Sequence, residues 1–61
     1  MKLYFQTGKN RRVAIDTERK IYNADYFYLG AFHTYIKVSA ADFRAILQEI
    51  DFNCYDYDDN F

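Results

Sequence analysis

Hydrophobic and polar residues alternate at the start of the chain. From Lys2 to Thr7, Leu3 and Phe5 fall on one side and Tyr4 and Gln6 on the other. Period two with aromatic content predicts a β-strand. Arg11 to Asp16 repeats the pattern, with Val13 and Ile15 alternating against Arg12 and Ala14. The intervening Gly8-Lys9-Asn10 predicts a hairpin. A two-residue Gly8-Lys9 loop would set Phe5 against Arg12. A three-residue loop sets Phe5 against Val13 and Leu3 against Ile15, and a one-residue slip would turn the apolar set to solvent. The three-residue loop is therefore expected, with Asn10 in the left-handed conformation that Asn tolerates. Asp16-Thr17-Glu18-Arg19 reads as a turn opened by the Asp side chain. Lys20-Ile21-Tyr22 reads as a third strand, with Ile15 opposite Ile21.

Asn23 to Gly30 has no clean period and fits a helical turn, a strand or a packed loop equally. Thr34, Ile36 and Val38 then alternate with His33, Tyr35 and Lys37, which predicts a fourth strand. The period changes at Ser39. Phe43, Ile46, Leu47 and Ile50 make one helical stripe, with Arg44 and Gln48 on the far face. Ser39 is a good N-cap, Asp42 completes a capping-box pattern, and Asn53 is placed for a left-handed C-cap. The stripe has one large sheet face to cover: Leu3, Phe5, Val13, Ile15, Ile21, Ile36 and Val38. The tail alternates as Cys54-Tyr55-Asp56-Tyr57-Asp58 and reads as a last strand or an ordered tail. The expected fold class is α+β, one domain over residues 1–61. It has an antiparallel sheet of three to four strands in β-β-β-β-α order, with one C-terminal helix on a face. The runner-up adds the tail as a further strand.

Composition supports a compact fold. Of 61 residues, 51% are hydrophobic, with seven Tyr and six Phe. Each aromatic ring can bury roughly 150–250 Å², so a compact fold without staples is expected, and a dimer would make it safer. Cys54 is the one cysteine, which precludes an intramolecular disulfide. Met1 to Gln6 turns polar too soon for a signal peptide, and no apolar run is long enough to span a membrane. A cytoplasmic location is the expectation. The net charge of −1 conceals a gradient. Residues 1–37 carry seven basic side chains against three acidic, and residues 38–61 carry one against six. Exposed halves of opposite sign would allow a homo-oligomer.

Chemistry-bearing residues are sparse. A Cys–His enzyme would join Cys54 to His33, but Asp56, Asp58 and Asp59 raise a neighbouring thiol pKa instead of activating it. His33 with Arg11 or Arg12 could serve a small ribonuclease, which needs a cleft that so small a sheet rarely provides. One His and one Cys do not make a zinc site. The three aspartates lack the calcium-loop pattern, and Gly8 and Gly30 are not phosphate loops. No catalytic residue, metal or cofactor is expected.

Two binding readings remain. Lys9, Arg11 and Arg12 cluster at the first hairpin and Arg19 and Lys20 at the second turn. Tyr4 and Tyr22 on a shared outward face would give a platform for single-stranded nucleic acid. A pI near 5.6 weighs against that alternative. The favoured reading is protein binding. Thirteen aromatics exceed what one small core hides, and Tyr26, Tyr28, Tyr35, Tyr55 and Tyr57 fall at outward positions. If the tail instead covers the second sheet face, that argument weakens. Asp51, Asp56, Asp58 and Asp59, interleaved with Phe52, Tyr55 and Tyr57, combine negative charge with stacking rings as a nucleic acid strand does. The expectation is a non-enzymatic interaction module, a regulator or inhibitor of a nucleic-acid-handling protein, using Tyr26, Tyr28, Tyr35, Tyr55, Asp56, Tyr57, Asp58 and Asp59.

Overall fold

The computed structural model describes residues 1–25 and 34–61. Its centre is a three-stranded antiparallel unit: β1 (Lys2–Gln6), β2 (Arg12–Asp16) and β3 (Ile21–Asn23). Two short strands flank it, β4 (Ile36–Lys37) and β5 (Asp56–Tyr57), giving the order β4-β1-β2-β3-β5. Between β4 and β5 in the chain lie helix α1 (Ala40–Glu49) and a 3-10 turn (Phe52–Cys54). The class is α+β. The expected purely antiparallel sheet of three to four strands is corrected to a five-stranded mixed one. Both outer strands run parallel to their neighbours. A hairpin forces antiparallel pairing, but β4 and β5 return through long connections that leave parallel pairing open.

The first hairpin has the expected register, with Leu3 opposite Ile15 and Phe5 opposite Val13. Thr7 N–H donates to the Arg11 carbonyl at 3.0 Å and closes the Gly8-Lys9-Asn10 loop. Asn10 does not take the expected left-handed conformation. Among the described non-glycine residues, positive φ occurs at Lys20 (55°) and Asp51 (57°). The Gln6 side-chain amide stabilises the loop instead, donating to the Gly8 and Lys9 carbonyls at 3.2 and 3.5 Å.

The second turn is opened by Asp16 as expected. Its Oδ1 accepts from the N–H groups of Glu18 and Arg19 at 3.0 and 3.2 Å. Lys20 takes the left-handed conformation and keeps one more residue in the turn. Ile15 therefore faces Tyr22, and Ile21 faces Asp16, not Ile15. That one-residue shift changes both faces of the sheet. Tyr22 joins Leu3, Phe5, Val13 and Ile15 on the first face, and Ile21 moves to the second. Tyr4, expected beside Tyr22, lies on the second face with Ala14 and Asn23.

The predicted fourth strand is reduced to two residues, and Ile36 is 53% exposed rather than in the core. α1 forms as predicted. Ser39 is extended, and its Oγ accepts from Asp42 N–H at 3.1 Å. Phe43, Ile46 and Leu47 are the half-buried positions of α1, with the C-cap Ile50 half-buried beside them, while every other helix position is exposed. Phe43 meets Phe5 at a ring distance of 5.5 Å, which seats the helix on the first face. The left-handed residue after the helix is Asp51, and Asn53 lies inside the 3-10 turn that follows.

Both faces of the sheet are covered. Phe5 and Ile15 are buried on the first, Ala14 and Asn23 on the second. On the second face Tyr35 and Phe61 pack edge-on against Tyr4 at 5.9 and 6.5 Å. Lys2 and Arg12 lie over the Phe61 and Tyr35 rings at 5.4 and 5.7 Å. The tail thus serves as an edge strand and as cover for the second face. Among the described residues no helix is long and apolar enough to cross a membrane.

Candidate functional site

β5 gathers most of the chemistry the tail promised. Asp56 N–H donates to the Lys20 carbonyl at 3.0 Å and Asp58 N–H to the Tyr22 carbonyl at 2.9 Å. These bonds fix the strand beside β3 and bring Tyr57 opposite Tyr22. The two rings meet at 5.3 Å edge to face. Tyr22 also meets Phe52 at 4.8 Å, and Phe52 stacks on Tyr55 at 5.2 Å. The left-handed Asp51 makes this possible. It turns the chain out of α1 so that the 3-10 turn presents Phe52 to the sheet. The result is a chain of four rings along one edge, with Tyr57 45% exposed.

Carboxylates surround these rings. Tyr57 hydroxyl donates to Asp25 Oδ2 at 2.9 Å, and that bond first, then partial burial, raises the phenol pKa. Asp51 Oδ2 accepts from Cys54 Sγ at 3.2 Å and pushes the thiol pKa up. Cys54 is exposed but stays protonated, so it is not an activated nucleophile. Asp56 and Asp59 are exposed and complete the acidic edge.

Asp58 has a different role. Its carbonyl accepts from Asn23 Nδ2 at 2.8 Å and its Oδ1 from Asn60 N–H at 2.8 Å. Asn23 is 1% exposed, and its Oδ1 also accepts from Asp25 N–H at 2.7 Å. One buried amide therefore ties β3 to the tail and sets Asp25 beside Tyr57. Sequence reasoning missed both Asn23 and Asp25, because their partners lie more than 30 positions away.

Of the expected partner-binding residues, Tyr55, Asp56, Tyr57, Asp58 and Asp59 come together here. Tyr35 does not: it is half-buried on the second face, against Tyr4. Tyr26 and Tyr28 lie outside the described residues, as does His33.

The alternative nucleic-acid set is divided. Lys9, Arg11 and Arg12 sit at the β1–β2 loop, whereas Arg19 and Lys20 sit at the opposite end of β2. Arg19 Nε is held by Asp16 Oδ2 at 3.0 Å. With Tyr4 and Tyr22 on opposite faces, the aromatic platform between the basic clusters is not assembled.

Two shallow clefts of about 250 Å³ each flank Leu47. One is lined by Thr7, Arg11, Ala40, Phe43 and Arg44, the other by Gln48, Asp51, Phe52 and Asn53. Neither lining pairs an acid with a base. Among the described residues no group of three His, Cys, Asp or Glu side chains could hold a metal ion. No protein-family model, curated protein or solved structure matches the chain.

Proposed function

We propose that this protein is a non-enzymatic interaction module. It docks a basic protein surface through the β5 edge, as a regulator or inhibitor of a nucleic-acid-handling protein. The observation that carries the reading is the run of rings Tyr22, Phe52, Tyr55 and Tyr57 beside Asp25, Asp51, Asp56 and Asp59 on an open strand. Stacking surface and negative charge in alternation suit a groove built to hold a nucleic acid strand. Tyr57 offers rigid area, and its hydroxyl oxygen keeps an acceptor site while it donates to Asp25. The argument from surplus aromatics is narrower than the sequence suggested, because Tyr4, Tyr35 and Phe61 pack on one another.

The test compares the wild-type protein with an Asp56→Asn, Asp58→Asn, Asp59→Asn triple variant and with Tyr57→Ala as affinity baits. Asn keeps the acceptor that Asp58 offers to Asn60. A specific basic partner should be held by the wild type, released as salt rises, and retained at least about tenfold less by each variant. Equal retention by all three would overturn the reading. A parallel titration with labelled single- and double-stranded oligonucleotides should give no tight, salt-sensitive complex. One that weakens steeply with salt and needs Arg11 and Arg12 would favour the basic hairpin instead.

A further inference from the structure

Among the described residues the sheet is open at both ends, and its two edges match each other. In β5, Asp56 and Asp58 turn their N–H groups inward to β3, so the intervening Tyr57 presents its backbone N–H and C=O outward. At the other edge Val38 N–H donates inward to the Gln6 carbonyl at 3.1 Å, so Lys37 presents its backbone groups outward. Both edge strands run in the direction of β1 and β3.

The side chains are in phase with the backbone. On the first face, β4 carries Ile36 beside Phe5, and β5 carries Tyr57 beside Tyr22. On the second face, β4 carries Lys37 beside Gln6, and β5 carries Asp56 beside Ile21. Ile36 and Tyr57 are among the most exposed large hydrophobic residues described, at 53% and 45%. Lys37 and Asp56 are both exposed, and neither forms an ion pair among the described residues.

We propose that the β5 edge of one copy pairs in parallel with the β4 edge of a second copy of this chain, continuing the sheet from molecule to molecule. The inference rests on β5 being a docking edge and gives that edge a second occupant, another copy of this chain. The outward backbone of Tyr57 then bonds on either side of Val38 in the second copy. That register sets Lys37 of the second copy against Asp56, and Ile36 and Val38 against the row of Tyr55 and Tyr57. Charge meets opposite charge on one face, and apolar side chains meet rings on the other. The symmetric alternatives are disfavoured. Two β5 edges would oppose aspartates to aspartates, and two β4 edges would bring lysines together. The contact is heterologous, so assembly proceeds beyond a dimer unless the rotation per copy closes a ring.

Sedimentation velocity across micromolar to millimolar protein tests this. The wild-type mass should rise with concentration and fall back as salt is added. Lys37→Glu and Asp56→Lys should each weaken association by about tenfold or more, by opposing like charges at the junction. An equimolar mixture of the two variants should associate again, since each altered edge meets its complement on the other variant. Circular dichroism confirms that each variant folds. A wild type monomeric throughout, single variants that associate as the wild type does, or a mixture that stays monomeric would each overturn the proposal. If the wild type is monomeric but the triple aspartate variant still loses a basic partner, this inference falls and the docking reading stands. If that variant loses nothing either, both fall.

Discussion

Asp16 is 5% exposed and holds a turn with both carboxylate oxygens. One takes the Glu18 and Arg19 N–H groups, the other the Arg19 guanidinium. The Arg19 side-chain hydrogen bond, then the Arg19 backbone bond, lower its pKa below the ordinary carboxylate value. A carboxyl with a depressed folded pKa contributes stability in full above its unfolded value near 4. That contribution fades as pH falls through the lowered value. Thermal unfolding followed by circular dichroism should therefore show a steep loss of Tm below about pH 4. Asp16→Asn should lower Tm at pH 7 by about 5 °C and flatten the acid limb. An acid limb unchanged in the variant would place the pH dependence on other carboxylates. Cys54 offers the converse case. Asp51 accepts its S–H and disfavours the thiolate. Asp51→Asn should lower the thiol pKa and speed iodoacetamide alkylation at pH 8 severalfold. Asn also tolerates the left-handed backbone at that position. An unchanged rate would assign the raised pKa to burial.

At the scale of elements, α1 depends on one hydroxyl at its start. Ser39 Oγ satisfies the Asp42 N–H, and no basic residue sits in the last turn to offset the helix dipole. Ser39→Ala should cost about 1 kcal/mol in urea unfolding, with the slope unchanged. A loss within error would mean that water caps the helix equally well. This helix and the first hairpin were legible because their signals are local. A cap, a 3.6-residue stripe and a short loop between alternating runs leave one consistent answer. β4 and β5 were legible as extended segments, but not their brevity or parallel pairing, because two residues carry no period and their partners come from chain returning from afar. The β2–β3 register failed for a subtler reason. The Asp16 turn was visible, but nothing in its residues announced that Lys20 would adopt a positive φ and lengthen it. That single residue moved Ile21 out of the predicted core face and Tyr22 into the ring cluster. Half of the candidate site was thus readable from the alternation Tyr55 to Asp58. The other half, Tyr22 and Asp25, depended on a register that the sequence did not determine.

Across the whole molecule, one buried amide decides whether the tail belongs to the fold. The central strands form a unit by antiparallel pairing alone, but β5 adds only two residues to the sheet. Asn23 supplies what so short a strand lacks. It holds the Asp58 carbonyl with its amide nitrogen and the Asp25 N–H with its oxygen. From Asp58 the chain continues to Asn60 and on to Phe61, which packs against Tyr4 on the far side of the sheet. The acidic edge and the cover of the second face are therefore held by the same residue. Asn23→Ala leaves a part-buried carbonyl and an N–H without their partner, which should cost about 2 kcal/mol. The loss should be uneven. Hydrogen exchange of the Asp56 and Asp58 N–H groups should accelerate far more than that of Leu3 to Phe5, because the tail can detach while the hairpin persists. Asn23→Asp keeps the acceptor for Asp25 but replaces the donor to Asp58 with a second carboxylate oxygen. It should free the tail while leaving the Asp25 turn on β3 formed. Uniform acceleration across the sheet in both variants would instead mean that the tail and the central strands unfold as one cooperative unit, with the tail as integral to the core as β2.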